Sequence, residues 1–246
     1  MDDPDLSGRT VLVTGSAKGV GREILLAAAA RGAKTAVHYH TSAEAAREVA
    51  ETAVERGSPA ATTVQSDVTD PDSVDGLFSA VESELGTVDV LVNNVGAFAP
   101  AHWEEIDFET WNRVLETNVN GTYLCSKRAL DPMRETGFGR IVNVGYASSE
   151  KGLVSPKNFP YFVAKTGVIM FTRMLAADTQ TEGITVNAVS PYVVENSDEF
   201  PDDLPRGRPD AVEDVVRPVL FFADPENDYV SGENLEVDGG WLPETV

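Results

Sequence analysis

A short apolar run that ends in a glycine loop and reopens as a helix constrains this chain more than any other feature. Thr10-Val-Leu-Val-Thr14 has the length and β-branched content of a strand. Gly15-Ser16-Ala-Lys18-Gly19-Val20-Gly21 follows, and Arg22-Glu-Ile-Leu-Leu-Ala-Ala-Ala-Ala30 reads as helix. Strand, glycine loop and helix in that order turn a Gly-rich segment into a candidate phosphate cradle. Glycine lets the backbone turn tightly and come close to a pyrophosphate, and the helix N-terminus offers free N–H groups to its oxygens. A plain glycine-rich turn is the competing reading, and three glycines at one strand–helix junction weigh against it.

Strand and helix signals alternate along the rest of the chain. Apolar, β-branched runs predict strands at 35–39, 61–65, 88–93, 140–144, 185–190 and 234–237. Helical patterns fall at 42–56, 72–84, 111–134, 161–179 and 212–223. This order predicts an α/β fold of Rossmann type: a single domain over residues 1–246, with a doubly wound parallel sheet of about seven strands and helices on both faces. Ligands in such sheets bind beyond the carboxyl ends of the strands, where Gly15, Asp67, Asn94, Gly145 and Pro191 fall.

Composition narrows the function classes. At 246 residues and 42% hydrophobic, the chain can bury one sizeable core. It has no apolar run long enough to span a membrane, and Met1-Asp-Asp-Pro-Asp5 is unlike a signal peptide, so a cytoplasmic protein is expected. The single cysteine, Cys125, excludes an intramolecular disulfide, and His38, His40 and His102 lack metal-ligand spacing, so no metal is expected. Forty acids against nineteen bases leave a net charge of −21, which repels nucleic acid and anionic membrane. The acids are dispersed and the lysines few, a surface expected of a protein from a salt-accumulating cytoplasm.

Tyr161 and Lys165, four residues apart, share one face of a predicted helix. An ammonium near a phenol lowers the phenol's pKa towards neutrality, where a general acid/base works best. A surface pair is the competing reading for this spacing alone.

Taken in order, the glycine loop, Asp67-Val68, Asn93-Asn94-Val95-Gly96, Glu116-Thr-Asn118, the Tyr161/Lys165 pair and Asp238-Gly-Gly240 resemble the short-chain dehydrogenase/reductase family, over about residues 6–241. The segments are similar to those of 3-oxoacyl-carrier-protein reductases and pteridine reductases. The resemblance implies an NAD(P)-dependent oxidoreductase with Tyr161 as general acid. It implies that Lys165 holds the nicotinamide ribose and tunes Tyr161, and that Asn118 helps hold a water linked to Lys165. Gly15, Ser16, Lys18, Gly19, Val20 and Gly21 would cradle the pyrophosphate, Asp67 and Val68 would flank the adenine, and Asn94, Val95 and Gly96 would line the inner ribose. Pro191 opens the segment that receives the carboxamide.

Cofactor choice follows from charge. The second strand ends Val37-His38-Tyr39-His40-Thr41-Ser42 with no acid before Glu44. Lys18, His40, Thr41 and Ser42 could receive a 2′-phosphate by charge and hydroxyl hydrogen bonds, so NADP(H) is expected over NAD(H). His38 and His40 as ordinary strand-end residues is the alternative.

Two departures from the family pattern bear on substrate. Aligned by its strand, the position of the family's carbonyl-polarising serine is Tyr146; aligned by its distance of thirteen residues before Tyr161, it is Ser148. Either hydroxyl could donate to an oxyanion or an imine nitrogen. After Pro191 the family's Pro-Gly and long lid give way to Tyr192 and a short acidic lid around 192–210. Reduction of a carbonyl, such as a 3-oxoacyl thioester or a ketone, and reduction of a ring C=N both remain open. A catalytically weak NADP(H)-binding sensor or scaffold is the reading from another class. A small-molecule substrate and a homo-oligomer, dimer or tetramer, are the partners implied by the resemblance.

Overall fold

The sheet is made of β1 (Thr10–Val13), β2 (Lys34–Tyr39), β3 (Ala61–Gln65), β4 (Val90–Asn93), β5 (Gly139–Val144), β6 (Ile184–Pro191) and β7 (Asn234–Val237). In this computed structural model, which describes residues 4–147, 149–150, 156–197, 200–201 and 203–240, all seven pair in parallel in the order β3-β2-β1-β4-β5-β6-β7. Helices α1 (Gly19–Ala29), α2 (Ala43–Glu55), α3 (Pro71–Leu85), α4 (Phe108–Leu115), α5 (Gly121–Thr136), α6 (Phe159–Asp178) and α7 (Val212–Ala223) cover both faces.

Because helices cover both faces, the central strands are apolar throughout rather than alternating with polar residues. Successive side chains still point to opposite sides. Val11, Val13, Val90 and Val92 pack into the core under α1, α2 and α7. Leu12, Leu91 and Ile141 pack into the other core, under α3 and α5. Burying both faces of β1 and β4 fixes their register, Val13 opposite Val37 on one side and Val92 on the other.

Strand order reverses between β1 and β4, since β2 and β3 extend one way and β5 to β7 the other. Loops leaving β1 and β4 therefore diverge and open a crevice at their carboxyl ends, the place where such sheets bind ligands.

One predicted element differs in kind. The helix expected at 111–134 starts earlier, at Phe108, where Asp107 caps it by accepting from Thr110 N at 2.7 Å. It is interrupted by a π-helical turn at Glu116–Asn120 before α5 continues. The extra residue rotates Asn118 into the protein, and its side chain holds the turn, as described next.

Candidate active site

Gly15 sits at the switch point with φ +67, a backbone that side chains rarely adopt. A Cβ there would lie 2.9 Å from the Val95 side chain, and one at Gly21 would lie 2.5 Å from Asn94 Nδ2 and 2.7 Å from Gly15 O. Only glycines let the loop, α1 and the chain after β4 approach this closely. Thr14 holds the other side: its Oγ1 accepts from Asn94 N at 2.9 Å and Val95 N at 3.1 Å, while Asn94 Nδ2 donates to Thr14 O at 2.9 Å.

His38 completes the cradle. Gly15 N–H donates to His38 Nδ1 at 2.8 Å, so Nδ1 is the acceptor; Nε2 then carries the proton and donates to Ser66 O at 3.1 Å. The ring is buried, and burial pushes its pKa down to about 4, so it is neutral at pH 7. His38 thus ties the glycine loop to β2 and to the end of β3, and it also lines the cavity beside the loop. Ser16 also departs from expectation. Its side chain is buried and accepts from His38 N at 3.1 Å, so it is turned away from the cleft.

No side chain caps the N-terminus of α1, which leaves its first N–H groups available to an anion. Beside them a cavity of about 420 Å³ is lined by Gly15, Lys18, His40, Thr41, Ser42, Asp67, Val68 and Val95, together with Arg113, Glu116 and Thr117. Lys18 and His40 are exposed, and Ser42 begins α2 without capping it, so its hydroxyl is not committed there. Asp67 accepts from both Thr69 N (2.9 Å) and Thr69 Oγ1 (2.7 Å), which lowers its pKa and keeps it ionised, with His40 at 4.0 Å. Tight glycine turn, open helix terminus and elongated crevice fit a dinucleotide.

At the far end of the crevice α6 carries Tyr161 and Lys165. Asn158, with φ 62, starts this helix. It also ties the helix to the loop after β4, since Ala99 N donates to its Oδ1 at 3.0 Å and its own N donates to Ala101 O at 2.9 Å. Lys165 is buried, donates to Val144 O at 2.6 Å, and has its pKa lowered to about 8 by burial. Asn118, fully buried on the π turn, donates from Nδ2 to Ala97 O (2.8 Å) and Val114 O (2.9 Å). Its Oδ1 has no hydrogen-bond partner. Gly96 lies between the two: a Cβ there would be 2.8 Å from Asn118 Oδ1 and 3.6 Å from Lys165 Nζ.

The expected lowering of the Tyr161 pKa is not found. Burial, with Tyr146 as a second cause, pushes the phenol above its ordinary value. Lys165 Nζ stands 5.6 Å from the centre of the Tyr161 ring, and its short bond runs to a carbonyl. Tyr161 is therefore a protonated phenol at pH 7, the form a proton donor needs.

Tyr146 lies beside Tyr161, with ring centres 5.5 Å apart and planes at 72°. Burial and the Tyr192 phenol raise its pKa as well. It follows Gly145, where a Cβ would clash with Ser190 Oγ at 2.2 Å. Ser148 lies outside the described residues, as do Asp198, Glu199 and Asp202 of the acidic lid. Pro191 ends β6, and its carbonyl accepts from Ala147 N at 2.9 Å, joining the two chain segments that flank the aromatic side of the crevice.

Sequence reasoning missed Thr14, His38, Arg113 and Thr117 as parts of this site. For Thr14 and His38 the available signal was a polar residue inside or ending an apolar parallel strand, where burial demands a hydrogen-bond partner.

Comparison with known proteins bears on the family and the fold. A family model described as enoyl-(acyl carrier protein) reductase matches residues 15–242. The chain is 33% identical over 245 residues to a 3-oxoacyl-(acyl-carrier-protein) reductase of Synechocystis sp., covering 96% of this chain and 98% of the relative. It is 34% identical over 249 residues to 3beta-hydroxysteroid dehydrogenase 1 of Eggerthella lenta, covering 96% and 94%. The crystal structure of a short-chain type dehydrogenase/reductase from Mycobacterium marinum superposes with a TM-score of 0.88 at 29% identity, covering 96% of each chain. The chain belongs to the short-chain dehydrogenase/reductase family, and it is an oxidoreductase.

Proposed function

We propose that the chain is an NADPH-dependent reductase of a carbonyl group in which Tyr161 gives the proton to the developing alkoxide. The observation that carries this reading is the meeting of Tyr161, Lys165 and Asn118 at the end of the crevice away from the glycine loop, with Gly96 between the last two. When bound, the dinucleotide supplies the hydride. A phenol held protonated by burial suits the donor role in the reducing direction. Lys165 places its ammonium 5.6 Å from the centre of the Tyr161 ring, and the unpartnered Asn118 Oδ1 offers an acceptor to a water that could return a proton.

NADPH is favoured over NADH because Lys18, His40, Thr41 and Ser42 share one cavity wall where a carboxylate would otherwise repel a 2′-phosphate. Asp67 lines the same cavity 4.0 Å from His40 and opposes this field. The reading extends to a cytoplasmic enzyme working in concentrated salt, as a homo-oligomer. Tyr123, Val163, Met170 and Met174 on α5 and α6 present apolar surface that a second copy could cover.

A ring C=N is the second reading. It is favoured by Tyr146, which brings a second phenol beside Tyr161, ring centres 5.5 Å apart.

NADPH oxidation in multimolar KCl, against 3-oxoacyl thioesters, ketones and dihydropterins, tests both readings. Tyr161→Phe should lower turnover by about 10²–10⁴-fold, the usual worth of a positioned general acid, while NADPH still binds. Retained turnover in that variant would remove Tyr161 as the donor, and faster turnover with NADH would overturn the cofactor assignment. Tight NADPH binding without turnover on any probe would favour the sensor reading.

A further inference from the structure

Four aromatic rings, those of Phe98, Tyr146, Phe162 and Tyr192, gather around Tyr161. Phe98 meets Tyr161 edge-on, centres 5.1 Å apart and planes at 78°. Tyr146 meets Tyr161 at 5.5 Å and Phe162 at 5.4 Å, again nearly edge-on, and Tyr192 at 6.2 Å with planes tilted by 45°. Phe98 remains 54% exposed beside the acid that the reaction uses.

Tyr192 leaves from a fixed backbone. Its N–H is shared between Asp210 Oδ2 and Val237 O, both at 3.0 Å. Asp210 N donates to Val193 O, and Glu195 N donates to Asp210 O, each at 2.8 Å. The short lid is thus tied down at its base, and the Tyr192 ring is part of a wall rather than of a swinging loop.

Rings set edge-on and tilted to one another offer faces and edges that another flat ring can match in offset or T-shaped contact. An open acyl chain gains less from such a wall and loses more rotational freedom on binding to it. We propose that Phe98, Tyr146 and Tyr192 are specificity-determining residues that select a planar ring carbonyl over an open-chain 3-oxoacyl thioester. The proposal rests on Tyr161 being the proton donor, since the wall is built outward from its ring through Phe98 and Tyr146 to Tyr192.

The test separates binding from chemistry. 2-Tetralone and S-acetoacetyl-N-acetylcysteamine are titrated into the NADPH complex of Tyr161→Phe, with fluorescence of the bound NADPH as readout. kcat/KM for both is then measured in the wild-type enzyme. The ring ketone should bind about tenfold tighter than the thioester, the product of one or two ring contacts. Tyr192→Leu, which keeps bulk and loses the ring, should weaken the ketone about fivefold and the thioester by less than about twofold. Tyr192→Gly, which keeps the N–H that Asp210 and Val237 hold, should act in the same direction. Equal or tighter binding of the thioester, no binding of the ketone, or equal weakening of both probes in Tyr192→Leu would overturn the proposal. Turnover surviving in Tyr161→Phe would instead strike at the donor assignment, leaving the ring preference measured by binding intact.

Discussion

A single imidazole decides how the glycine loop stands. Gly15 N–H and Ser66 C=O both bond to the buried His38 ring, so replacing it with Leu orphans two backbone groups. Each unsatisfied buried group costs about 1–3 kcal/mol. For a chain of this size each kcal/mol lowers Tm by about 2–4 °C, so the two orphaned groups together should make His38→Leu lose about 4–24 °C, with weaker NADPH binding because Gly15 is no longer held. The ring also links stability to pH. In the unfolded chain it takes a proton near pH 6.5, but in the folded protein only near about 4. Between those values the unfolded state binds more protons, so this contribution is full above pH 6.5, falls as pH drops towards 4, and changes no further below that. Denaturant unfolding at pH 7 and pH 5 should show a larger loss on acidification in the wild type than in His38→Leu; equal losses would mean that the ring is not neutral in the fold.

At the scale of elements, the apolar parallel strands were legible because burial on both faces leaves an uninterrupted run, as in Val11-Leu12-Val13 and Val90-Leu91-Val92. The helices were legible from their patterning, with bounds moved by only a few residues where caps such as Asp107 were not weighed. The π turn at Glu116–Asn120 was not legible, because one added residue leaves the apolar pattern of a long helix nearly unchanged. What fixes it is tertiary: Asn118 Nδ2 bonds to Ala97 O, on the loop after β4, and to Val114 O one turn back. His38 was not singled out, and the inward turn of the Ser16 hydroxyl was not legible, for a related reason: only packing shows that their polar atoms serve each other and the loop. The Tyr161 pKa was misread because spacing gives proximity to Lys165 but not desolvation. Asn118→Ala removes both bonds that hold the π turn and the acceptor facing Gly96. It should lower turnover by about 10²-fold, the lower range of general acid–base contributions, with the NADPH dissociation constant changed by less than about threefold. Turnover within fivefold of wild type would leave the π turn a purely structural feature.

At the scale of the whole molecule, charge is what folding leaves least balanced. Many of the arginines are already paired: Arg128 bonds to Asp75 and Glu82, Arg134 to Asp178 and Glu182, Arg173 to Glu150, and Arg208 to Asp214. With forty acids against nineteen bases, the pairs leave a large excess of carboxylates that repel one another across the surface. Salt acts on both populations with opposite signs: it weakens the exposed pairs, worth about 0–1 kcal/mol each, and it screens the repulsion. The repulsion involves more charges and is uncompensated at a net charge of −21, so screening it wins. Thermal unfolding followed from about 0.1 M to about 2 M KCl should therefore show Tm rising, most steeply at low salt where the Debye length shrinks from about 10 Å towards 3 Å. Sodium sulfate would raise Tm by strengthening apolar burial as well, so KCl is the diagnostic salt. A Tm that stays flat or falls with KCl would mean that the arginine networks outweigh the dispersed acids, and that this surface is not adapted to concentrated salt.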